Sequence, residues 1–370
     1  MLRLAVRNLT QDKARLLVSV GGVGLALTLV LFFAAVFAGA QGRMTVYIDN
    51  AGADVWVSQA GVRTMHMSES TLPSSVEDEV KAVPGVEEAV PVLYTEGMVL
   101  AKGKEYIVYV LAVPPGAPFG GAWHTVKGAS EPRPGEIILD HAIAAQAGLG
   151  VGDLVTVLGR EMRVVGLMSG TSSVASSVSF VSFEDFARAR GSGAVISFVL
   201  VRTTVGEIAT DVAERISQEV DNVTVQTRQQ FAAQERQLVK DMMADIINIM
   251  NMAGYLTGLA VVALTIYIAT TARRREYGVL KAMGVRNSKL YQIVVWQALL
   301  CVALGLALGL AITLLLSAVI PRFNELLVLS VSPASVIRVA LISILLAGIA
   351  ALLPARQLAG LEPVTITRKG

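Results

Sequence analysis

The chain has 370 residues, of which 54% are hydrophobic and 16% charged, with a mean hydropathy of +0.60 and a net charge of +2. So apolar a composition excludes an ordinary soluble domain, and so balanced a charge gives no reason to expect a nucleic-acid partner. The single cysteine, Cys301, excludes an intrachain disulfide and a Cys-rich metal site.

Residues 1–15 set Leu2, Ala5, Val6 and Leu9 at helical spacing, with Arg3, Arg7 and Asp12 elsewhere on the wheel. This is the pattern of an amphipathic helix on the inner membrane surface, although a basic flank with accidental periodicity fits as well. Residues 16–40 form a first apolar run without a charge. Ala38 and Ala40 would suit a signal-peptide cleavage site, but the run of about 25 residues far exceeds the roughly 7–15 of a signal core, so it reads as a retained span. Residues 41–227 read as one α+β domain. Its strand-like segments are Ala53–Ser58, Tyr106–Val113, Asp153–Gly159, Met162–Met168, Ser177–Phe183 and Val195–Arg202, and its helical patterns are Ser75–Ala82, Asp140–Ala147 and Glu207–Val220.

From residue 228 a helical pattern runs without Pro or Gly as far as Gly254, which predicts a stalk over 228–245 continuing into a second span, 246–272, unless the chain hinges at Gly254. Residues 273–290 form a charged loop with Arg273, Arg274, Arg275, Glu276, Lys281, Arg286 and Lys289. A third span, 291–320, a short loop, 321–335, a fourth span, 336–353, and a basic tail, 354–370, complete the chain. Each Arg at a helix centre costs about 2.5–3.5 kcal/mol on insertion scales, so the three consecutive arginines must lie outside lipid. Because basic residues crowd the N-terminus, the 273–290 loop and the tail, the positive-inside rule places all three in the cytoplasm and the α+β domain outside, in a cell membrane. Pairs Gly22/Ala26, Gly254/Gly258 and Gly305/Gly309 have the small-xxx-small spacing of close helix contacts.

Several chemistries are excluded by what their motifs require. The closest approach to a phosphate-binding loop, Gly103–Lys104, has Met98 where the first Gly belongs and Glu105 where Ser or Thr belongs, so no nucleotide site is expected. His66, His124 and His141 are scattered and form no hydrolase or zinc motif, and no catalytic residue, cofactor or metal is expected. The spans lack the acidic relays of an ion-driven transporter, so any transport draws its energy from another subunit. Met65, His66 and Met67 are suited to a soft metal, but three neighbours rarely complete a site and the segment reads better as an exposed loop. Met242, Asp245, Met250, Met252 and Tyr255 form a candidate site for a flat hydrophobic ligand near the outer leaflet, against the commoner use of Met as gap filler between helices.

The charged loop carries the most specific signal. Arg273, Arg275, Glu276, Tyr277, Gly278, Leu280, Lys281, Ala282 and Gly284 resemble the R-x-R-E-[hydrophobic]-G-x-[hydrophobic]-[KR]-A-x-G stretch of MacB/FtsX-type ABC-transporter permeases, with Tyr277 where Ile is more usual. Pro134–Met168 is similar to that family's periplasmic core domain, and Pro354, Ala355, Glu362 and Pro363 match its C-terminal signature. The resemblance implies a polytopic α-helical membrane protein of the prokaryotic inner membrane, with four transmembrane helices and one α+β extracytoplasmic domain between helices 1 and 2. It also implies a permease dimer, most simply a homodimer, served by a cytoplasmic ATPase that binds the ATP and Mg. Arg275, Glu276, Tyr277, Gly278, Leu280, Lys281, Ala282 and Gly284 would form the ATPase-coupling helix, and a periplasmic adaptor is a further partner. The implied activity is mechanotransmission that exports an amphipathic or hydrophobic compound, with DevC-like and haem-export permeases as the suggested subgroups. The alternative is a non-transporting FtsX-like regulator of a cell-wall hydrolase or signalling partner.

Overall fold

The computed structural model describes residues 13–66, 68–171, 177–191, 194–272, 274–323 and 328–359. Most of the expected N-terminal amphipathic helix, Met67, and the end of the tail from residue 360 lie outside the described residues. The chain divides into two units, Met1–Gly39 with Met243–Arg322 and Leu329–Gly370, and Ala40–Met242 with Phe323–Val328.

The first unit is helical. Its elements are α1 (Lys13–Met44), α7 (Arg228–Ala272), α8 (Arg274–Ala282), α9 (Asn287–Phe323) and α10 (Pro333–Ala359), with α1 and α7 continuing into residues of the second unit. Four helical segments are long and apolar enough to cross a membrane, Leu16–Met44, Ala244–Ala272, Asn287–Phe323 and Pro333–Ala351. Their limits differ from the expected spans at the ends, where hydropathy stops but helical hydrogen bonding does not: α9 passes Pro321, and α10 continues to Ala359. Helix α7 shows no break at Gly254.

Glycines explain how these helices pack. A Cβ on Gly254 would lie 2.4 Å from Val30 Cγ2, one on Gly22 2.8 Å from Val261 Cγ1, and one on Gly305 2.6 Å from Val23 Cγ1. At Gly309 the neighbours are backbone: Thr28 N at 3.0 Å and Gly24 O at 3.1 Å. Helix α1 is therefore in close contact with both α7 and α9, and its residues Val23, Leu27, Val30 and Leu31 are buried in the bundle core. Thr28 and Thr313 sit in this apolar setting because each hydroxyl donates to the carbonyl one turn back, Gly24 O at 2.7 Å and Gly309 O at 2.8 Å. The end of the α9–α10 connection returns to α1, where Ser330 N donates to Ala35 O at 3.0 Å.

The second unit is built on a mixed sheet in the order β12-β1-β11-β3-β4-β9-β6-β8-β5, with β7 pairing β3 and β8. In chain order the strands are β1 (Val55–Gln59), β2 (Leu72–Pro73), β3 (Val86–Ala101), β4 (Lys104–Ala112), β5 (Thr125–Gly128), β6 (Glu136–Asp140), β7 (Leu154–Val157), β8 (Arg160–Met168), β9 (Ser177–Val181), β10 (Val195–Ile196), β11 (Phe198–Thr203) and β12 (Val223–Thr227). Strand β3 is the spine. Its first half pairs with β11 and its second half, from Leu93↔Ala112 to Ala101↔Lys104, with β4. Pro91 is tolerated because it lies in the half paired only with β11, before the β4 ladder begins.

Four helices bury one sheet face: α3 (Ser75–Lys81), α4 (His141–Ala147), α5 (Phe183–Arg190) and α6 (Ala209–Glu219). Asp140 caps α4 by accepting from Ala142 N at 2.8 Å, and Ser182 caps α5 by accepting from Asp185 N at 3.1 Å. The opposite face is covered by α2 (Val46–Asn50) and by the first turns of α7, through Tyr47, Ile48, Phe231 and Ala232.

The glycine contacts predict opposite outcomes at two helical sites. Gly309→Ala forces a methyl against the α1 backbone and should destabilise the detergent-solubilised protein by about 1–3 kcal/mol. Gly348→Ala meets nothing within 4 Å and should be neutral or stabilising by up to about 1 kcal/mol, as helix propensity dictates. Thermal unfolding of the two variants beside wild type reads the difference.

Candidate functional site

The expected coupling segment folds as its own short helix, α8. It ends at Gly284, whose φ of +86° is a left-handed conformation that a side chain would strain. Gly284 N donates to Lys281 O at 3.0 Å, and Lys289 N donates to Arg286 O at 2.9 Å as α9 begins. The two faces of α8 differ sharply. Tyr277 is 3% exposed and packs in the bundle core with Leu290, Ile293 and Val294, and Gly278 is buried beside it. Glu276, Val279, Ala282 and Met283 are exposed, Val279 to 58% and Met283 to 67%. At 100° per residue these four fall within an arc of about 120°, so α8 presents one mixed acidic and apolar stripe. Lys281 is half-buried on the Tyr277 side, and Arg275 and Leu280 lie within the helix.

Val279 and Met283 are the residues that sequence reasoning passed over. Their i, i+4 spacing is the signal that would have found them.

All five candidate ligand residues lie on α7. Met242, Asp245 and Met252 are exposed, whereas Met250 and Tyr255 are half-buried. Tyr255 packs against the bundle core and lines a void of about 20 Å³ with Val23, Leu27 and Ser343, too small for a flat ligand and without any of the methionines.

The first turns of α7 are fastened to the α+β domain. Thr227 and Gln230 cap the helix reciprocally: Thr227 N donates to Gln230 Oε1 at 2.9 Å, and Gln230 N donates to Thr227 Oγ1 at 3.3 Å. Phe231 is fully buried and stacks on Trp56 with ring centroids 4.8 Å apart. One turn on, Glu235 is 0% exposed; its Oε2 accepts from Met65 N at 2.7 Å and its Oε1 meets His66 Nδ1. Arg236 Nη1 donates to Thr45 Oγ1 at 3.0 Å, and Thr45 in turn donates to Asp49 at 2.7 Å.

Met65 and His66 are therefore not an exposed loop: they are 2% and 6% exposed. The His66 ring stands edge-on to Tyr109 at 4.3 Å and to Tyr94 at 6.3 Å. Burial, with the neighbouring Tyr109, Glu96 and Glu235, raises the Tyr94 hydroxyl well above the usual tyrosine range. Among the described residues no group of three His, Cys, Asp or Glu side chains is arranged to hold a metal. His66 and Glu235 are 169 residues apart, so no local spacing announces their pairing.

The comparisons bear on both units. Residues 16–219 match the MacB-like periplasmic core domain, and residues 248–363 match the FtsX-like permease C-terminal domain. The chain is a MacB/FtsX-type ABC-transporter permease. Among curated relatives, the uncharacterized ABC transporter permease Rv0072 of Mycobacterium tuberculosis is 24% identical over 325 residues, 87% of each chain. Rv2563 from the same organism, described in the same words, is 22% identical over 322 residues, again 87% of each. Solved structures similar to the chain include the periplasmic region of MacB from Actinobacillus actinomycetemcomitans, at 12% identity and a TM-score of 0.39, covering 50% of this chain and 93% of that one. The extracellular domain of the ABC-type transporter YknZ from Gram-positive bacteria gives 12% identity and a TM-score of 0.38, covering 47% and 99%. As an ABC-transporter permease with four apolar helices and a MacB-like periplasmic domain, the protein is a membrane subunit that works with an ATPase subunit.

The pair at the root of α7 predicts a large and asymmetric mutational effect. Glu235→Ala strands His66 and Met65 N without their acceptor and should destabilise the α+β domain by about 3–5 kcal/mol, whereas Glu235→Leu with His66→Phe should recover only part of the loss, because Met65 N still lacks its acceptor. Denaturant titration followed by the fluorescence of buried Trp56 measures both.

Proposed function

We propose that the protein is the permease of an exporter in which α8 is the docking helix for the ATPase, and α7 carries the resulting movement to the extracytoplasmic domain. The observation that carries this reading is the two-faced build of α8. Tyr277 and Gly278 anchor one side in the bundle core, while Glu276, Val279, Ala282 and Met283 leave a short amphipathic stripe exposed. An exposed pair of apolar side chains one turn apart, rimmed by charge, has the form of a helix that docks in a groove of a partner. Anchorage by Tyr277 means that a push on α8 is felt by Leu290, Ile293 and Val294 of α9 rather than dissipated in a loop.

The unbroken helix of α7 supports the second half of the reading, since a 45-residue helix is a stiff element of about 65–70 Å at 1.5 Å per residue. In this scheme both termini are cytoplasmic, two copies of the permease act together, and an adaptor joins outside. ATP and Mg belong to the ATPase. The cargo is an amphipathic or hydrophobic compound taken from the outer leaflet or periplasm, and the methionine-bearing stretch of α7 around Asp245 is where such a compound would first meet the helix.

Wild-type permease purified from its native membrane in mild detergent should bring an ABC ATPase with it. Val279→Asp combined with Met283→Asp should reduce the retained ATPase at least about tenfold, the loss expected when the central residues of an interface are removed, while the protein stays inserted and monodisperse. Equal retention of the ATPase by the two proteins would remove α8 as the dock. Charge reversal at Glu276 should weaken retention in a salt-dependent manner, read from the same purification at two ionic strengths.

A further inference from the structure

The α+β domain contains a cleft of about 630 Å³ that the permease reading does not use. This is a normal size for a small-molecule site. Its wall combines two kinds of surface. Met65, Leu158 and Phe186 supply an apolar lining, and Glu69, Glu96 and Arg190 bring charge to it. Arg190 donates to Ser197 Oγ at 3.0 Å and to Thr71 Oγ1 at 3.5 Å, so among the described residues the guanidinium is held by hydroxyls and not by a carboxylate. Neither Glu69 nor Glu96 forms an ion pair among the described residues, and both are exposed. The cleft thus holds two uncompensated carboxylates against one guanidinium. Tyr94 also lines the cleft, but its hydroxyl is closed off from it and, among the described residues, has no hydrogen-bond partner.

The cleft also shares its residues with the fastening of α7. Met65 lines it, and the Met65 amide donates to Glu235. Tyr94 lines it, and the Tyr94 ring touches His66 edge-on. The intervening segment is strapped to β1, because Gln59 N donates to Ser70 Oγ at 2.9 Å and Thr71 N donates to Gln59 Oε1 at 3.0 Å. A molecule in the cleft therefore meets Met65, which is one partner of the Glu235 carboxylate, and Tyr94, whose ring stands against His66, the other.

We propose that this cleft binds an organic ammonium compound with an apolar body, and that its occupancy is transmitted through Met65 and His66 to Glu235 and the first turns of α7. The ammonium group lies between Glu69 and Glu96, and the apolar body rests on Met65, Leu158 and Phe186. Nothing covalent occurs. Occupancy changes how firmly residues 228–242 are held, which makes the cleft a sensing site for the helix that joins the two units.

Phenethylamine is a suitable probe, with 2-phenylethanol and 3-phenylpropionate as matched compounds that keep the ring and change the charge. The full-length protein in phosphatidylcholine nanodiscs is titrated with each by calorimetry, and empty nanodiscs are titrated in parallel. We expect the amine to bind at least about fivefold more tightly than the alcohol, the margin that one or two partly exposed ion pairs supply, with the carboxylate weakest. Glu69→Gln with Glu96→Gln should erase that preference. Hydrogen–deuterium exchange should slow in residues 228–242 when the amine is bound. Equal binding of the three compounds by wild type, or heat equal to that of empty nanodiscs, overturns the ammonium site whether or not the variants fold. Selective amine binding without any change of exchange in 228–242 overturns the link to α7. Neither result depends on whether α8 binds an ATPase.

Discussion

Hydrocarbon offers a polypeptide no hydrogen-bond partner, and the architecture of this permease follows from that constraint. Every apolar run has to satisfy its own backbone as a helix, and every dense group of charges has to lie where water can reach it. Helices that share an apolar solvent gain little by merely hiding from it, so they associate by fitting closely. That is why glycines, and not large side chains, mark the contacts of α1 with α7 and α9. Among the polar groups buried in the bundle, the hydroxyls of Thr28 and Thr313 are spent on carbonyls of their own helices. Once the bundle is close-packed around α1, α8 has a surface on which to seat Tyr277.

Much of this was legible in the sequence because the signals are local. The four spans follow from length and the absence of charge, and the α8 helix from a motif whose glycines and charges are contiguous. Within the α+β domain, segments with clear alternation, such as Tyr106–Val113 and Met162–Met168, were recognisable as strands, which the structure bounds at Lys104–Ala112 and Arg160–Met168. Strand β3 was not, because Pro91 and the acidic stretch Glu87–Glu88 argue against a strand, and only its unequal pairing on its two sides makes room for the proline. Helix α5 was hidden for the opposite reason. Ser182 and Phe183 continue the alternation of β9, yet Ser182 is the cap that starts a helix.

The fastening of α7 was illegible on different grounds. Its parts are scattered: Trp56 from a strand, Met65 and His66 from a loop, Thr45 and Asp49 from the segment between α1 and β1, and Phe231, Glu235 and Arg236 from the helix itself. A histidine read in isolation between two methionines suggests a soft-metal ligand or a solvated loop. Only tertiary structure brings a carboxylate to it, and the same carboxylate then takes the Met65 amide as well. Sequence spacing describes neighbours along a helix or strand, and a contact made across 169 residues has no spacing to describe.

That separation has a consequence for how such permeases can be recombined. A cut made where the sheet ends, after Thr227, would look natural on a domain map, yet it would part Glu235 from His66 and Phe231 from Trp56 in a single stroke. An inherited exchange of the outer domain between two permeases, or one made in the laboratory, has to carry the helix past Arg236 to keep those pairs together. The unit of heredity here is the sheet together with the first turns of the helix that leaves it, and lineages that exchange outer domains should show their junctions beyond Arg236.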